Sequence, residues 1–296
     1  MKSMFINYFK ENKLYQWDEA KEVFILSNTS INEEFCLDKS EMDKLLKFEN
    51  PEITVGKSLK VTSGNLKANL KITAATLNFP SLEFENSFKI DIDKLKIASK
   101  FVGGKDGRAI LQGINVRNNY ISATDSFFCY RSECENNCNL TIASSFIKVL
   151  TELKGIVEVK CNSYYIYCEY EGVTYIGRLL NQDYPNIDNI YSLGFEKSFE
   201  IDKKELKYLL TFISSTKDAI IFSKDKLKIN SILNDVNCDF EADIECDVEE
   251  DIYLNYEKLN IIINSIKEDQ ITVEYSSSTK PLLINKEFIL LPLRKL

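Results

Sequence analysis

Residues 88–102 read FKIDIDKLKIASKFV, and residues 199–213 read FEIDKKELKYLLTFI. Both open Phe-x-Ile-Asp. Both then place apolar side chains at helical spacing: Leu95, Ile97, Ala98 and Phe101 in the first, Leu206, Leu209, Leu210 and Ile213 in the second. Apolar residues three and four apart gather on one face of a helix, so each stretch predicts an amphipathic helix beginning at its phenylalanine. Two such openings in one chain indicate a duplicated module, and everything else is then best read as copies of it.

Moving outward, "TLNFPSLEF" holds Pro80, "NQDYPNIDNIY" holds Pro185 and the closing "ILLPLRK" holds Pro292, at spacings of 105 and 107 residues. A second helix is predicted within each copy, from Leu140 in "LTIASSFIKVLTEL" and from Tyr253 in "YLNYEKLNIIINSIKE". "CLDKSEMDKLLKFEN", from Cys36, takes the same place in the first copy. Short alternating segments with turn residues follow, such as "GIVEVKCNSYYIYCEYEGVTYIGRLL", and predict antiparallel strands joined by hairpins. Five units of helix plus hairpins fit the chain. A sixth would start before Met1, so residues 1–35 are expected to hold only strands. The division expected is therefore 1–85, with its opening helix missing, 86–192 and 193–296. In "DFEADIECDVE" (residues 239–249) acidic and apolar residues alternate strictly, which predicts a strand with one wet and one dry face.

Composition narrows the function. An apolar fraction of 44% and a charged fraction of 28% are those of a globular chain with room for two or three domains. No apolar run is long enough for a membrane helix, and "MKSMFINYFKENK" lacks the features of a signal peptide, so the cytoplasm is the expected location. There is no histidine, which removes the commonest general base and every Ser-His-Asp or Cys-His arrangement. Cys129, Cys134 and Cys138 are spaced unlike a zinc ribbon, and the eight cysteines read as buried thiols in a reducing compartment. "GGKDGR" (103–108) and "VGKSLK" (55–60) lack full phosphate-loop spacing and read as a helix stop and a hairpin turn. No enzymatic activity, metal or cofactor is expected.

A net charge of −8 argues against bulk attraction to nucleic acid. The predicted helices nonetheless carry lysine in every copy: Lys44 and Lys47; Lys94, Lys96 and Lys100; Lys148 and Lys154; Lys203, Lys204 and Lys207; Lys258 and Lys267. The outward strands carry acid. Helices covering one side of each sheet would make that side basic, suited to a phosphate backbone.

Together these features resemble the β subunit of bacterial DNA polymerase III, the DNA sliding clamp. The resemblance is carried by "AILQGINVRNNYISATDSFFCYR" (109–131) with its A-T-D turn, by "GRLLNQDYPNI" (177–187), by "PLLI" (281–284) and by the "LLPLRK" end; "SGNLKANLKITAATLNFP" (63–80) resembles the close of the family's first domain. It implies an α+β DNA-clamp fold of about three similar domains, with sheets outside and helices lining a ring. It implies a homodimer closed head to tail around duplex DNA without sequence preference. Such a processivity factor tethers DNA polymerase, clamp loader and other replication or repair proteins, each through a short apolar peptide. The matching pocket positions are Leu111, Thr124, Ser126, Phe127, Phe128, Cys129, Pro185, Asn189, Ile190, Pro281, Ile289, Leu290, Leu291, Pro292, Leu293 and Arg294. Ala68 and Leu70 on one side, and Phe212 and Ile213 on the other, match the protomer junction. After A-T-D the family usually has Gly-His-Arg-Leu, whereas Ser126 to Cys129 here change the pocket's shape and polarity. The alternative left open is a clamp-like decoy that binds clamp partners without encircling DNA.

Overall fold

The computed structural model describes residues 5–19, 22–74, 77, 79–80, 83–104, 107–211, 219–230, 240–243 and 248–294. Its first strands are β1 (Phe5–Lys10), β2 (Lys13–Asp18) and β3 (Val23–Asn28). Five copies of one unit follow, each a strand, a helix and three strands. The first is β4 (Phe35–Asp38), α1 (Lys39–Leu45), β5 (Glu52–Val55), β6 (Leu59–Ser63) and β7 (Leu66–Leu70). The second is β8 (Asn86–Asp91), α2 (Ile92–Ala98), β9 (Ile114–Arg117), β10 (Tyr120–Thr124) and β11 (Phe128–Glu133). The third is β12 (Asn139–Ile142), α3 (Ser144–Leu150), β13 (Ile156–Cys161), β14 (Tyr165–Tyr170) and β15 (Val173–Arg178). After a short α4 (Asp188–Tyr191) comes the fourth: β16 (Lys197–Asp202), α5 (Lys203–Leu210), β17 (Ala219–Ser223), β18 (Lys226–Asn230) and β19 (Phe240–Asp243). The fifth is β20 (Ile252–Asn255), α6 (Tyr256–Ile263), β21 (Gln270–Tyr275), β22 (Leu282–Ile284) and β23 (Phe288–Leu290).

This corrects the sequence reading at one point. Phe-x-Ile-Asp is not the first turn of a helix but the strand that leads into it. Phe88 and Ile90 are buried while Ser87 and Lys89 are exposed, which is the period of a strand. The helix begins only after the aspartate. Cys36, Leu140 and Tyr253 likewise lie in the leading strands β4, β12 and β20, not in the helices that follow. In α1, α5 and α6 the polar residue closing the strand serves as the cap. Asp38 Oδ1 accepts the Glu41 N–H at 2.9 Å, Asp202 Oδ1 the Glu205 N–H at 2.9 Å and Asn255 Oδ1 the Lys258 N–H at 3.0 Å. Each satisfies an amide that the first helical turn leaves without a partner.

The chain condenses into two compact units. The first takes residues from 1–96, 113–120 and 134–182, and the second from 97–112, 121–133 and 183–296. In the first, an eight-stranded antiparallel sheet runs β4-β1-β2-β3-β15-β14-β13-β8, and a separate three-stranded sheet runs β5-β6-β7. Met42 and Leu45 of α1 pack with Phe9, Phe35, Leu37, Leu59, Val61 and Leu70. Helix α3 seats Phe146 on the backbone of β15, where a Cβ on Gly177 would lie 2.2 Å from the ring, so only glycine fits. In the second unit one sheet contains β10-β11-β23-β22-β21-β16 in that order, and another runs β19-β18-β17-β20. Phe101, Phe128, Tyr130 and Phe288 form an aromatic core with ring centres 4.5–5.7 Å apart.

Tight hairpins fix the registers. Glu11–Asn12, Asn118–Asn119 and Asn285–Lys286 adopt the positive φ that two-residue turns of matching twist need. Gly56 sits in the β5–β6 hairpin and Gly103 lies beyond α2, its N–H on the Leu111 carbonyl, as "VGKSLK" and "GGKDGR" suggested. Six cysteines, Cys36, Cys129, Cys134, Cys138, Cys161 and Cys168, are buried free thiols. Residues 240–243 of the alternating 239–249 segment form β19, while Cys238, Asp239 and residues 244–247, Cys246 among them, lie outside the described residues. Among the described residues no helix is long and apolar enough to cross a membrane.

Candidate functional site

The A-T-D turn links β10 to β11 and is held by its own side chains. Thr124 Oγ1 donates to the Phe128 carbonyl at 2.8 Å and accepts the Ser126 N–H at 3.0 Å. Asp125 Oδ1 accepts the N–H groups of Phe127 and Phe128. Such side-chain closure is why Thr-Asp suits a tight turn. Ser126 sits at φ +86°, a conformation easy for glycine and strained for serine. The turn therefore holds a serine where glycine would be less strained. It projects Phe127 into solvent, 61% exposed, while Phe128 turns inward.

The chain's end is stitched to this turn. β11 pairs antiparallel with β23, Phe128 opposite Leu290 and Cys129 opposite Ile289. Beyond the strand the Leu291 N–H donates to the Phe127 carbonyl at 2.9 Å, and the Leu293 N–H donates to the Tyr253 carbonyl at 2.7 Å. The tail thus stays extended and in place as far as Leu293. Leu291 and Pro292 are half-buried and Leu293 is 39% exposed, so apolar side chains remain open to solvent next to Phe127.

The paired strands β11 and β23 also carry Cys129 and Ile289, which form a small apolar cluster with Leu283, against which Ile190, Tyr191 and Phe195 pack. Burial pushes the Cys129 thiol up to about 12, so it serves as an apolar group and not as a nucleophile. Tyr191 donates to the Glu287 carbonyl at 2.8 Å, and burial raises its pKa well above the usual phenol value. The Arg131 guanidinium lies 3.8 Å over the Tyr191 ring and 3.5 Å from Asp188. The Tyr184 hydroxyl accepts the Thr124 N–H at 3.0 Å. Lys258 pairs with Asp125, and its ammonium stands 4.3 Å over Phe128 and 5.3 Å from Phe127.

Of the pocket positions inferred from the sequence, the structure joins Thr124, Ser126, Phe127, Phe128, Cys129, Ile190, Ile289, Leu290, Leu291 and Leu293 through these contacts. Pro185 and Pro281 are half-buried, Asn189 and Arg294 exposed and Leu111 buried. Sequence reasoning missed Asp125, Arg131, Tyr184, Tyr191 and Tyr253. Arg131 and the two tyrosines at 184 and 191 lie inside stretches that had been singled out, yet no spacing rule says which of their side chains turn inward.

The lysines expected to face DNA divide into two groups. Lys148, Lys204 and Lys207 are exposed on α3 and α5. Lys96 reaches the Leu153 carbonyl at 3.5 Å, Lys100 the Ser265 hydroxyl at 3.3 Å, and Lys203 the Ile266 carbonyl. Lys258 is held by Asp125, and Lys94 is half-buried. At the inferred junction, Ala68 and Leu70 lie on β7, with Leu70 buried in the α1 core. Phe212 and Ile213 lie outside the described residues.

No protein-family model matches the chain, and no curated protein does. Solved structures do. The Pseudomonas aeruginosa DNA polymerase sliding clamp, solved with a ligand, matches with a TM-score of 0.80 at 17% identity, covering 99% of this chain and 92% of that one. The Thermotoga maritima DNA polymerase III β subunit matches with 0.79 at 15%, with the same coverage. The Helicobacter pylori β clamp bound to a DNA ligase peptide matches with 0.80 at 16%, again with that coverage. The chain thus has the α+β fold of the bacterial sliding clamps.

Proposed function

We propose that this chain is a DNA sliding clamp. In this reading it closes head to tail with a second copy around duplex DNA. It then tethers a DNA polymerase and other replication or repair proteins in the cytoplasm, and it catalyses no reaction itself. The observation that carries the reading is the apolar strip of Phe127, Leu291, Pro292 and Leu293, held together by the Leu291–Phe127 backbone bond at the end of the β11–β23 pair, set in a fold otherwise found in sliding clamps. The strip offers apolar anchors beside a cation–carboxylate pair, which suits a short peptide with two or three apolar side chains, one of them aromatic. That a clamp of this fold was solved with a DNA ligase peptide supports the same use.

The internal repeats support ring closure. Each unit ends in a strand, and these last strands pair with one another: β3 with β15, and β11 with β23. Two last strands remain, β7 and β19, and among the described residues each is the edge of its sheet. Pairing β19 of one copy with β7 of another continues the rule and leaves neither edge open. On this reading residues 1–85, 86–192 and 193–296 are three clamp domains, and Lys148, Lys204 and Lys207 face the duplex. Their direct hold on phosphates is weak and salt-sensitive, so persistence on DNA comes from closure of the ring.

Sedimentation equilibrium at micromolar concentration tests the assembly. The expected result is a species of twice the chain mass. A monomer at every workable concentration overturns the ring and leaves the partner-binding decoy in its place.

A further inference from the structure

Within the first unit, Cys138 and Cys161 bring their sulfur atoms to 3.7 Å of each other. Cys138 stands just before β12 and Cys161 closes β13, the strands on either side of α3. Those two strands do not pair with each other: β12 lies against β9, and β13 lies between β14 and β8. The thiols therefore meet across the fold and not along a ladder. Backbone bonds hold both ends in place. The Cys138 N–H donates to Asn136 Oδ1 at 3.1 Å, and the Cys161 carbonyl accepts the Glu85 N–H at 3.0 Å. Other described thiols have other neighbours: Cys134 Sγ is 3.4 Å from the Lys89 carbonyl, and Cys129 Sγ is 3.6 Å from the Tyr191 hydroxyl. Among the described residues no three cysteine or carboxylate side chains are grouped to hold a metal ion, so the chemistry open to this pair is that of two thiols.

A disulfide holds its sulfurs at about 2.0 Å, so the pair must close by about 1.7 Å, within the sweep of the two Cβ–Sγ bonds. We propose that Cys138 and Cys161 form a redox site, at which a hydroperoxide oxidant joins them in a disulfide. Cys138 is 9% exposed and Cys161 2%, so Cys138 meets the oxidant and Cys161 resolves it. With hydrogen peroxide, the Cys138 sulfur attacks and the O–O bond breaks. One oxygen stays on Cys138 as a sulfenic acid, and the other leaves as water. The Cys161 sulfur then displaces the sulfenic hydroxyl, which departs with the Cys161 proton as a second water. The two thiols give up two electrons and two protons, and the peroxide takes them. Burial, and then the Cys138 thiol beside it, push Cys161 up to about 12, which keeps it a thiol until the sulfenic acid forms next to it. The new bond closes a loop that holds β12, α3 and β13, and so staples that unit. The site stands apart from the peptide strip, and it does not depend on ring closure.

The test treats the reduced full chain with hydrogen peroxide, alkylates the remaining thiols and maps the digest by mass without reductant. A peptide joining Cys138 to Cys161 should appear, lighter by two hydrogens than its two parts, and dithiothreitol should separate it. The oxidised chain should unfold about 5 °C higher, the order expected of a cross-link over a loop of this size. Cys138→Ser should abolish the link, and Cys134→Ser should leave it. Oxidation of Cys138 to a sulfinic acid without a link overturns the proposal. So does a link from either thiol to Cys134, or one that forms only in denaturant. A Cys138–Cys161 link that leaves the unfolding temperature unchanged overturns the staple.

Discussion

The triplets β5-β6-β7 and β21-β22-β23 are built to one plan and end in different surroundings. Each follows a helix whose first turn is capped by the polar residue that closes the preceding strand, Asp38 or Asn255. In the second triplet β16 covers β21 and β11 covers β23, and Ile271, Val273, Ile289 and Leu290 are at most 2% exposed. In the first, both outer edges lack a strand among the described residues, and Val55 and Leu66 face solvent. Local sequence thus shapes the element, while the neighbouring strand decides whether its apolar side chains become core or contact surface.

The sharpest way to break this comparison is at the two chain segments that leave β7 and β23. The one after β23 is held by Phe127 and Tyr253 and contributes Leu291, Pro292 and Leu293 to the apolar strip. Deleting residues 291–296 keeps β23 whole and should weaken binding of a clamp-partner type peptide by about thirtyfold or more, the loss typical of removing central anchors. Alanine at residues 71–73, after β7, should leave that affinity unchanged. Fluorescence anisotropy reads both, and full binding by the truncated chain would remove the strip from the site.

A smaller effect separates covered from uncovered strands. Ile90→Ala in β8 empties a space in a closed core and should cost about 2–4 kcal/mol. Ile53→Ala in β5 should cost about 1 kcal/mol or less, because part of that side chain already meets water. Urea unfolding of the two variants measures the gap, and equal losses would mean that β5 is as well covered as β13.

The smallest effect concerns what the copies share. Asp38→Ala and Asp202→Ala should each cost about 1 kcal/mol, since both remove a cap of the same geometry. The Glu41 amide, followed by the Ser40 hydroxyl, holds the Asp38 carboxylate below its usual pKa. A lowered folded value means that this contribution is complete above the unfolded carboxylate's pKa and disappears as pH falls through the lowered one. Amide exchange in α1, followed from neutral to acid pH, should show protection persisting below pH about 4 before it fails.

Much of this architecture was legible in the residues, for identifiable reasons. The repeat showed because Phe-x-Ile-Asp and the proline spacing survive in more than one copy. Residues 1–35 were expected to hold strands alone, and β1 to β3 lie there. The strand-to-helix boundary was misplaced because Phe88 and Ile90 have two-residue spacing, and a short strand feeding a helix merges with its apolar period. The docking of residues 288–293 was visible because a run of Ile, Leu and Pro needs a partner. Tyr184, Tyr191 and Arg131 could not be assigned, since their roles depend on a hydroxyl or guanidinium meeting groups dozens of residues away. The individual partners of the lysines were not legible for a related reason. Composition shows that a helix is basic, but not that Lys203 caps a distant carbonyl while Lys204 stands free in solvent.

Retention on DNA of defined topology tests encirclement most directly. The chain is placed on nicked circular DNA by a suitable clamp loader, and the complex is passed over a gel-filtration column at moderate salt before and after one restriction cut. A closed ring slides but leaves only at an end, so the protein should stay with the circle and run off the linear form. Equal retention on both, or equal loss from both, would contradict encirclement, because phosphate contacts are the same whether or not the duplex has ends.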